Sequence, residues 1–106
     1  MTNCIFCKII NQEVKSKIVY QDDKIIAFHD INRQSRIHIL IIPKHHIDST
    51  LQLTSADQDW LGHMIIQANK IATQQFDLHK GYKLQINSGS AGGQEIYHLH
   101  LHLLGK

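Results

Sequence analysis

The sequence predicts an α+β domain: a mostly antiparallel five-stranded sheet with one long helix and a short N-terminal helix. Three observations predict it. Apolar residues recur at helical spacing in one long segment, from Ser55 to Phe76. Shorter stretches with strand character flank that segment on both sides. No repeat, linker or low-complexity tract divides the 106 residues, so residues 4–105 are expected to form one domain.

The elements follow in order. Cys7 to Asn11 is expected to form a short helical turn. Lys17–Tyr20 and Ile25–Asp30 read as two strands, with Gln21-Asp22-Asp23-Lys24 as the hairpin turn between them. Ile37–Ile42 is a third strand, continuously apolar and therefore central, and Pro43 ends it because proline cannot donate to a ladder. From Ser55 the period changes. Ser55 and Gln58 have the spacing of a capping box, and Asp57 and Asp59 suit the positive end of a helix dipole. Trp60, Leu61, Met64, Ile65, Ala68, Ile71 and Ala72 then form one apolar stripe for packing on the sheet. Gly81 stops the chain, Tyr82–Asn87 resumes a strand, and Ser88 to Gly93 reads as a flexible turn. The last strand is expected from about Glu95 to Leu104.

Composition narrows the function. Hydrophobic residues make up 42% and charged residues 19%, enough to bury a core. The net charge of +2 falls short of the clustered excess that phosphate neutralisation requires, so no nucleic-acid partner is expected. No apolar run is long enough to span a bilayer, and Met1-Thr2-Asn3-Cys4 has no leader character, so a cytoplasmic protein without a membrane partner is expected. Histidine is the outlier, with 9 residues.

His98, His100 and His102 alternate with Leu99, Leu101 and Leu103. On a strand this puts the imidazoles on one face and the leucines on the other. The leucine face is expected to be core, and the histidine face neither core nor ordinary solvated surface. Adjacent imidazoles repel when protonated, which favours neutral rings able to serve as nucleophile, base or metal ligand. A polar strand face, a histidine-rich metal site and a catalytic imidazole with helpers are all open on this pattern. The glycine-rich turn just before it, able to bring backbone N–H groups close to an anion, favours the last. Cys4 and Cys7, with only Ile5 and Phe6 between them, read as a metal half-site, a redox pair or two small buried residues. Redox is the weaker reading, because no strand precedes Cys4.

His98-Leu99-His100-Leu101-His102-Leu103-Leu104 resembles the motif of the histidine triad superfamily. So do Phe28-His29-Asp30-Ile31, Ile41-Ile42-Pro43-Lys44-His45-His46, Lys80-Gly81-Tyr82 and Gly92-Gly93-Gln94-Glu95-Ile96-Tyr97, which together resemble its Hint branch from Cys4 to Gly105. The resemblance implies a hydrolase of purine nucleoside 5′-phosphoramidates that passes AMP first to a histidine and then to water. It implies His100 as nucleophile, His102 at the phosphoryl oxygens, and His38 and His98 in support. For the substrate it implies an apolar base slot of Ile5, Phe6, Ile9, Phe28 and Ile31. Asp30 would meet the ribose, and Asn87, Gly93 and Glu95 the phosphate. Glu95 departs from the serine found in much of the branch. The sequence stops at Lys106, so the tail by which some relatives select the leaving group is expected to be absent. Cys4 and Cys7, with His46 and His98, resemble the zinc-binding subset of the superfamily and imply a structural Zn²⁺, with no metal needed for catalysis. His45 is set aside as a ligand. His29, His63 and His79 are read as ordinary surface or packing residues. The resemblance further implies a homodimer, with Trp60, Met64 and Tyr82 as candidate contacts. The competing readings are a zinc-stabilised nucleotide-binding module with little turnover and a dinucleoside polyphosphate hydrolase.

Overall fold

A computed structural model describes residues 3–106; Met1 and Thr2, read above for leader character, lie outside the described residues. Five strands form one sheet: β1 (Ile18–Gln21), β2 (Ile25–His29), β3 (Ile37–Pro43), β4 (Lys83–Gln85) and β5 (Leu101–Gly105). Their spatial order is β1-β2-β3-β5-β4, and every neighbouring pair is antiparallel. Helix α1 (Ile5–Ile10) covers one face and α2 (Gln58–Lys70) the other.

The period-two alternation divides the apolar residues between two cores. Ile25 and Ala27 of β2, Ile39 and Ile41 of β3, and Leu101 and Leu103 of β5 pack with Met64 and Ala68 of α2. Ile26, Phe28, Leu40 and Ile42 point the other way and pack with Phe6 and Ile9 of α1. Because β3 is covered on both faces, all seven of its residues are buried, which explains its continuously apolar sequence.

Several elements differ from the sequence expectation. The helical segment starts one residue earlier: Thr54 caps it and Asp57 returns the capping-box bond, where Ser55 and Gln58 were expected. A 3₁₀ turn (Ser55–Asp57) leads into α2, and a π turn (Ile71–Gln75) ends it. Met64 is fully buried within its own subunit, so it cannot serve as a dimer contact, whereas Ile65 and Ile66 face solvent. The final strand is shorter than expected. The chain bends at residues 96–98, and Leu99 N–H bonds the Ile47 carbonyl at 2.8 Å instead of entering the ladder. Only Leu101–Gly105 pairs as strand, which leaves His98 and His100 ahead of it. The alternation survives the bend, with Leu99 in the α2 core. The histidine side, expected to be neither core nor ordinary solvated surface, is roofed by α1: Phe6 meets His98 and His100 edge-on at 5.8 and 5.2 Å between ring centroids.

A candidate active site and an adjoining metal cluster

The glycine turn before the histidines is ordered by its own hydrogen bonds rather than flexible. Gly89 and Gly93 take positive φ values of 72° and 81°, a region that favours glycine. Gly93 N–H bonds the Ser90 carbonyl at 3.1 Å, and Gln94 N–H bonds that of Gly89 at 3.0 Å. The buried Gln94 side chain accepts from Gly89 N–H at 2.8 Å and donates to the carbonyls of Asp48 (2.6 Å) and Ile96 (3.0 Å). Asn87 donates to the Gly92 carbonyl at 2.8 Å. The Ser88 hydroxyl bonds that of Thr50, tying the turn to the segment before α2.

A cavity of about 470 Å³ opens between this turn, α1 and the sheet. Ile5, Phe6, Ile9 and Phe28 give it an apolar end, and Ile31, 93% exposed, stands on its rim. Asp30, Asn87, Gly93 and Glu95 also line it, together with His100 and His102. His38 and His98 lie behind that lining, fully buried. Ile96, Gln94 and Gln85 line it too. Sequence reasoning missed them, although Gln94 and Ile96 lie within the quoted motif. His29, read as ordinary, borders the cavity and packs edge-on against Phe76.

The hydrogen bonds assign the ring protons. His100 Nδ1 lies 2.8 Å from the His98 carbonyl, an acceptor only, so Nδ1 carries the proton and Nε2 an open lone pair. Gln34 N–H donates to His38 Nδ1 at 3.1 Å, which puts that ring's proton on Nε2. His38 Nε2 then donates to His102 Nδ1 at 2.9 Å, leaving His102 with an Nε2–H donor. Asp30 Oδ2 stands 3.3 Å from His38 Nε2, and its other oxygen accepts from Asn32 N–H at 2.8 Å. Burial pushes His102 down to about 4, with the charges of His100 and His38 adding to it. Burial lowers His38 as well, against the pull of Asp30. His38 and His102 are therefore neutral near pH 7, as a relay of ring hydrogen bonds requires.

On the far side of His98, Cys4, Cys7, His46 and His98 place one donor atom each within 4.8 Å of one another. His98 Nδ1 is 3.4 Å from Cys4 Sγ and 3.6 Å from Cys7 Sγ, and His46 Nδ1 is 3.4 Å from Cys7 Sγ. Both imidazoles donate from Nε2, His98 to the Pro43 carbonyl at 2.9 Å and His46 to Asp48 at 2.7 Å. Their Nδ1 lone pairs thus face the thiols, the orienting arrangement usual around metal-bound histidine. Tetrahedral zinc needs ligand separations of roughly 3.3–3.8 Å, given bonds of about 2.0–2.3 Å. This donor set fits such an ion. Burial, then the Cys4 thiol, pushes Cys7 up, a cost that a bound cation would reverse. Asp30, His38 and His102 also lie within metal-binding reach. In that group the hydrogen from Gln34 and the His38–His102 bond already occupy the nitrogens that would ligate. His45 stacks edge-on against Trp60 and is not in the cluster.

A row of alternating histidines running into an inner strand of an antiparallel sheet, two of them lining an open cavity, defines a histidine triad protein. A family model described as scavenger mRNA decapping enzyme C-term binding matches residues 3–106. The purine nucleoside phosphoramidase of Escherichia coli K12 is 48% identical over 101 residues, which is 95% of this chain and 85% of that protein. A HIT family hydrolase from Clostridium thermocellum superimposes with a TM-score of 0.95 at 43% identity, covering 100% of this chain and 92% of the other. One from Legionella pneumophila Philadelphia 1 gives 0.93 at 45% identity, covering 97% and 92%. The chain belongs to the histidine triad family of nucleotide hydrolases, and the Hint-like branch fits it.

Proposed function

We propose that this chain hydrolyses purine nucleoside 5′-phosphoramidates through a covalent adenylyl-histidine on His100. The observation that carries the reading is the His100 ring: Nδ1–H is held by the His98 carbonyl and Nε2 is left free beside an open cavity. The base occupies the slot of Ile5, Phe6, Ile9 and Phe28, with Ile31 at its lip, and Asp30 accepts from the ribose hydroxyls. Asn87 and the Gly93–Glu95 backbone border the phosphate. His100 Nε2 attacks phosphorus, the new P–N bond forms as the bond to the amine breaks, and the amine leaves with a proton from water. His102 Nε2–H meets the phosphoryl oxygen as charge builds there. His38 is a positioning residue that fixes the His102 tautomer. Water then attacks phosphorus, releasing AMP and restoring neutral His100.

Cys4, Cys7, His46 and His98 would hold a structural Zn²⁺. Four protein ligands close the coordination sphere, so the ion supplies folding energy rather than a reactive position. Free thiols in this arrangement suit a reducing compartment such as the cytoplasm. Residues 4–105 act as one domain, and the domain works as a homodimer. Supporting the dimer are β4, an edge strand of three residues, and the exposed Ile65 and Ile66 on α2. Trp60 and Tyr82, both half-buried, would contribute to that interface.

The test is AMP release from adenosine 5′-phosphoramidate by wild type and His100→Ala, with acid-labile adenylate on His100 sought by rapid quench and mass spectrometry. Turnover lost in the variant while AMP still binds supports the reading. No turnover by a folded wild type leaves a nucleotide-binding module instead, and preference for a diadenosine polyphosphate moves the chain to another branch.

A further inference from the structure

The cavity beside His100 is short of positive charge. Its charged lining is Lys15 against two carboxylates, Asp30 and Glu95. Burial lowers both His29 and His102, so neither of these two lining rings adds a positive charge near pH 7. Asp30 is engaged, accepting from Asn32 N–H and standing beside His38. Glu95 is exposed, and among the described residues its carboxylate has no ion-pair partner.

The backbone that carries Glu95 is nonetheless held firmly. Gln94, immediately before it, is 6% exposed, and its amide bonds Gly89, Asp48 and Ile96. Lys15 lies in the segment entering β1, where the Lys17 carbonyl accepts from His29 N–H. Glu95 stands three positions before His98 in the chain. It is therefore an unpaired carboxylate on a held backbone, lining a cavity that the reading above gives to an anionic phosphate ester. Such a carboxylate repels the substrate unless a cation lies between them.

We propose that Glu95 sets leaving-group specificity, selecting phosphoramidates whose amine portion carries an additional positive charge. This rests on the phosphoramidate reading above. In-line attack by His100 Nε2 sends the amine to the side of phosphorus away from that ring; because His100 is buried and Glu95 exposed, this is the direction from the buried lining toward the exposed lining that includes Glu95. A diamine or a basic amino-acid side chain would place its ammonium there against Glu95. In a solvent-open cavity the attraction is about tenfold in kcat/KM, and salt reduces it.

Three adenosine 5′-phosphoramidates of equal chain length test this: a simple alkylamine, a diamine ending in ammonium, and an amino acid ending in carboxylate. Wild type should prefer the ammonium substrate over the neutral one by about tenfold, and the neutral one over the carboxylate substrate by a similar factor. In Glu95→Gln the three values should converge to within about threefold, and in Glu95→Lys the order should reverse. A flat wild-type profile, or an order that persists in Glu95→Gln, overturns the specificity role while leaving the hydrolase reading standing. Failure of wild type to release AMP from any of the three overturns both.

Discussion

Each of the four imidazoles, His38, His98, His100 and His102, has its tautomer set by a hydrogen bond at one of its nitrogens. The alternation from His98 to His102 in the sequence is enough to place a row of rings on one side of the chain. It cannot say which nitrogen of each ring is free, because two of the deciding partners come from far along the chain: the Pro43 carbonyl, 55 residues from His98, and His38 Nε2, 64 residues from His102. The burial of His98 and His100 was equally illegible, since it depends on where α1 lies. A pH dependence follows. Unfolded imidazoles titrate near 6.5, whereas the fold keeps His102 at about 4 and also lowers His38. The unfolded chain thus binds more protons between those values. The stability that comes from keeping these rings neutral is fully present above about pH 6.5 and is lost as pH falls toward 4. Melting temperature measured from pH 7.5 to 4 should show this loss in chelator-treated protein as well, which separates it from metal release. In His102→Gln the decline should be shallower.

At the level of elements, strands and helices were largely visible in the sequence, while what fastens them together was not. Ser88–Gly93 has the composition of a mobile turn, and nothing local shows that Gln94 clamps it to a carbonyl 46 residues away. Gln94→Ala leaves Gly89 N–H and the Asp48 carbonyl without partners. The expected cost is about 1–3 kcal/mol in denaturant unfolding, together with a raised KM for nucleotide as the turn loosens. Asp22 was read simply as a hairpin residue and His63 as surface. In the fold Asp22 accepts from Tyr20 Oη (2.7 Å), Lys24 N–H (2.8 Å) and Ile25 N–H (3.0 Å), and pairs with His63 of α2 at 2.6 Å. Together these bonds hold the Asp22 carboxyl well below the usual carboxylate range. Asp22→Ala therefore both frays the β1–β2 turn and detaches α2 from it. Its cost should be about 2 kcal/mol by the same assay, with the chemistry at His100 unaffected.

For the whole molecule, the decisive feature is a sheet with a core on each face, the larger under α2 and the smaller under α1. The smaller core rests on a helix of six residues whose N-cap is Cys4. A helix so short has little stability of its own. Removing the metal from purified protein with a chelator should lower the melting temperature, and Cys7→Ser should abolish one equivalent of bound zinc and reproduce that loss. The dimer is tested independently. Wild type is expected to sediment as a dimer, and Ile66→Glu, which places a charge on the exposed face of α2, as a monomer.

His98 belongs to both centres at once: its ring faces the two thiols, while its carbonyl holds the proton of His100. Helix α1 is shared in the same way, since Cys4 and Cys7 flank Phe6, which packs on both histidines. Two ligands that order the same short helix must help each other by equal amounts, whichever binds first. Available zinc would then act as a dial on nucleotide affinity, and nucleotide as a dial on zinc retention. Titrating AMP into metal-free and zinc-loaded protein, and zinc into AMP-free and AMP-saturated protein, should give the same ratio of dissociation constants from both sides.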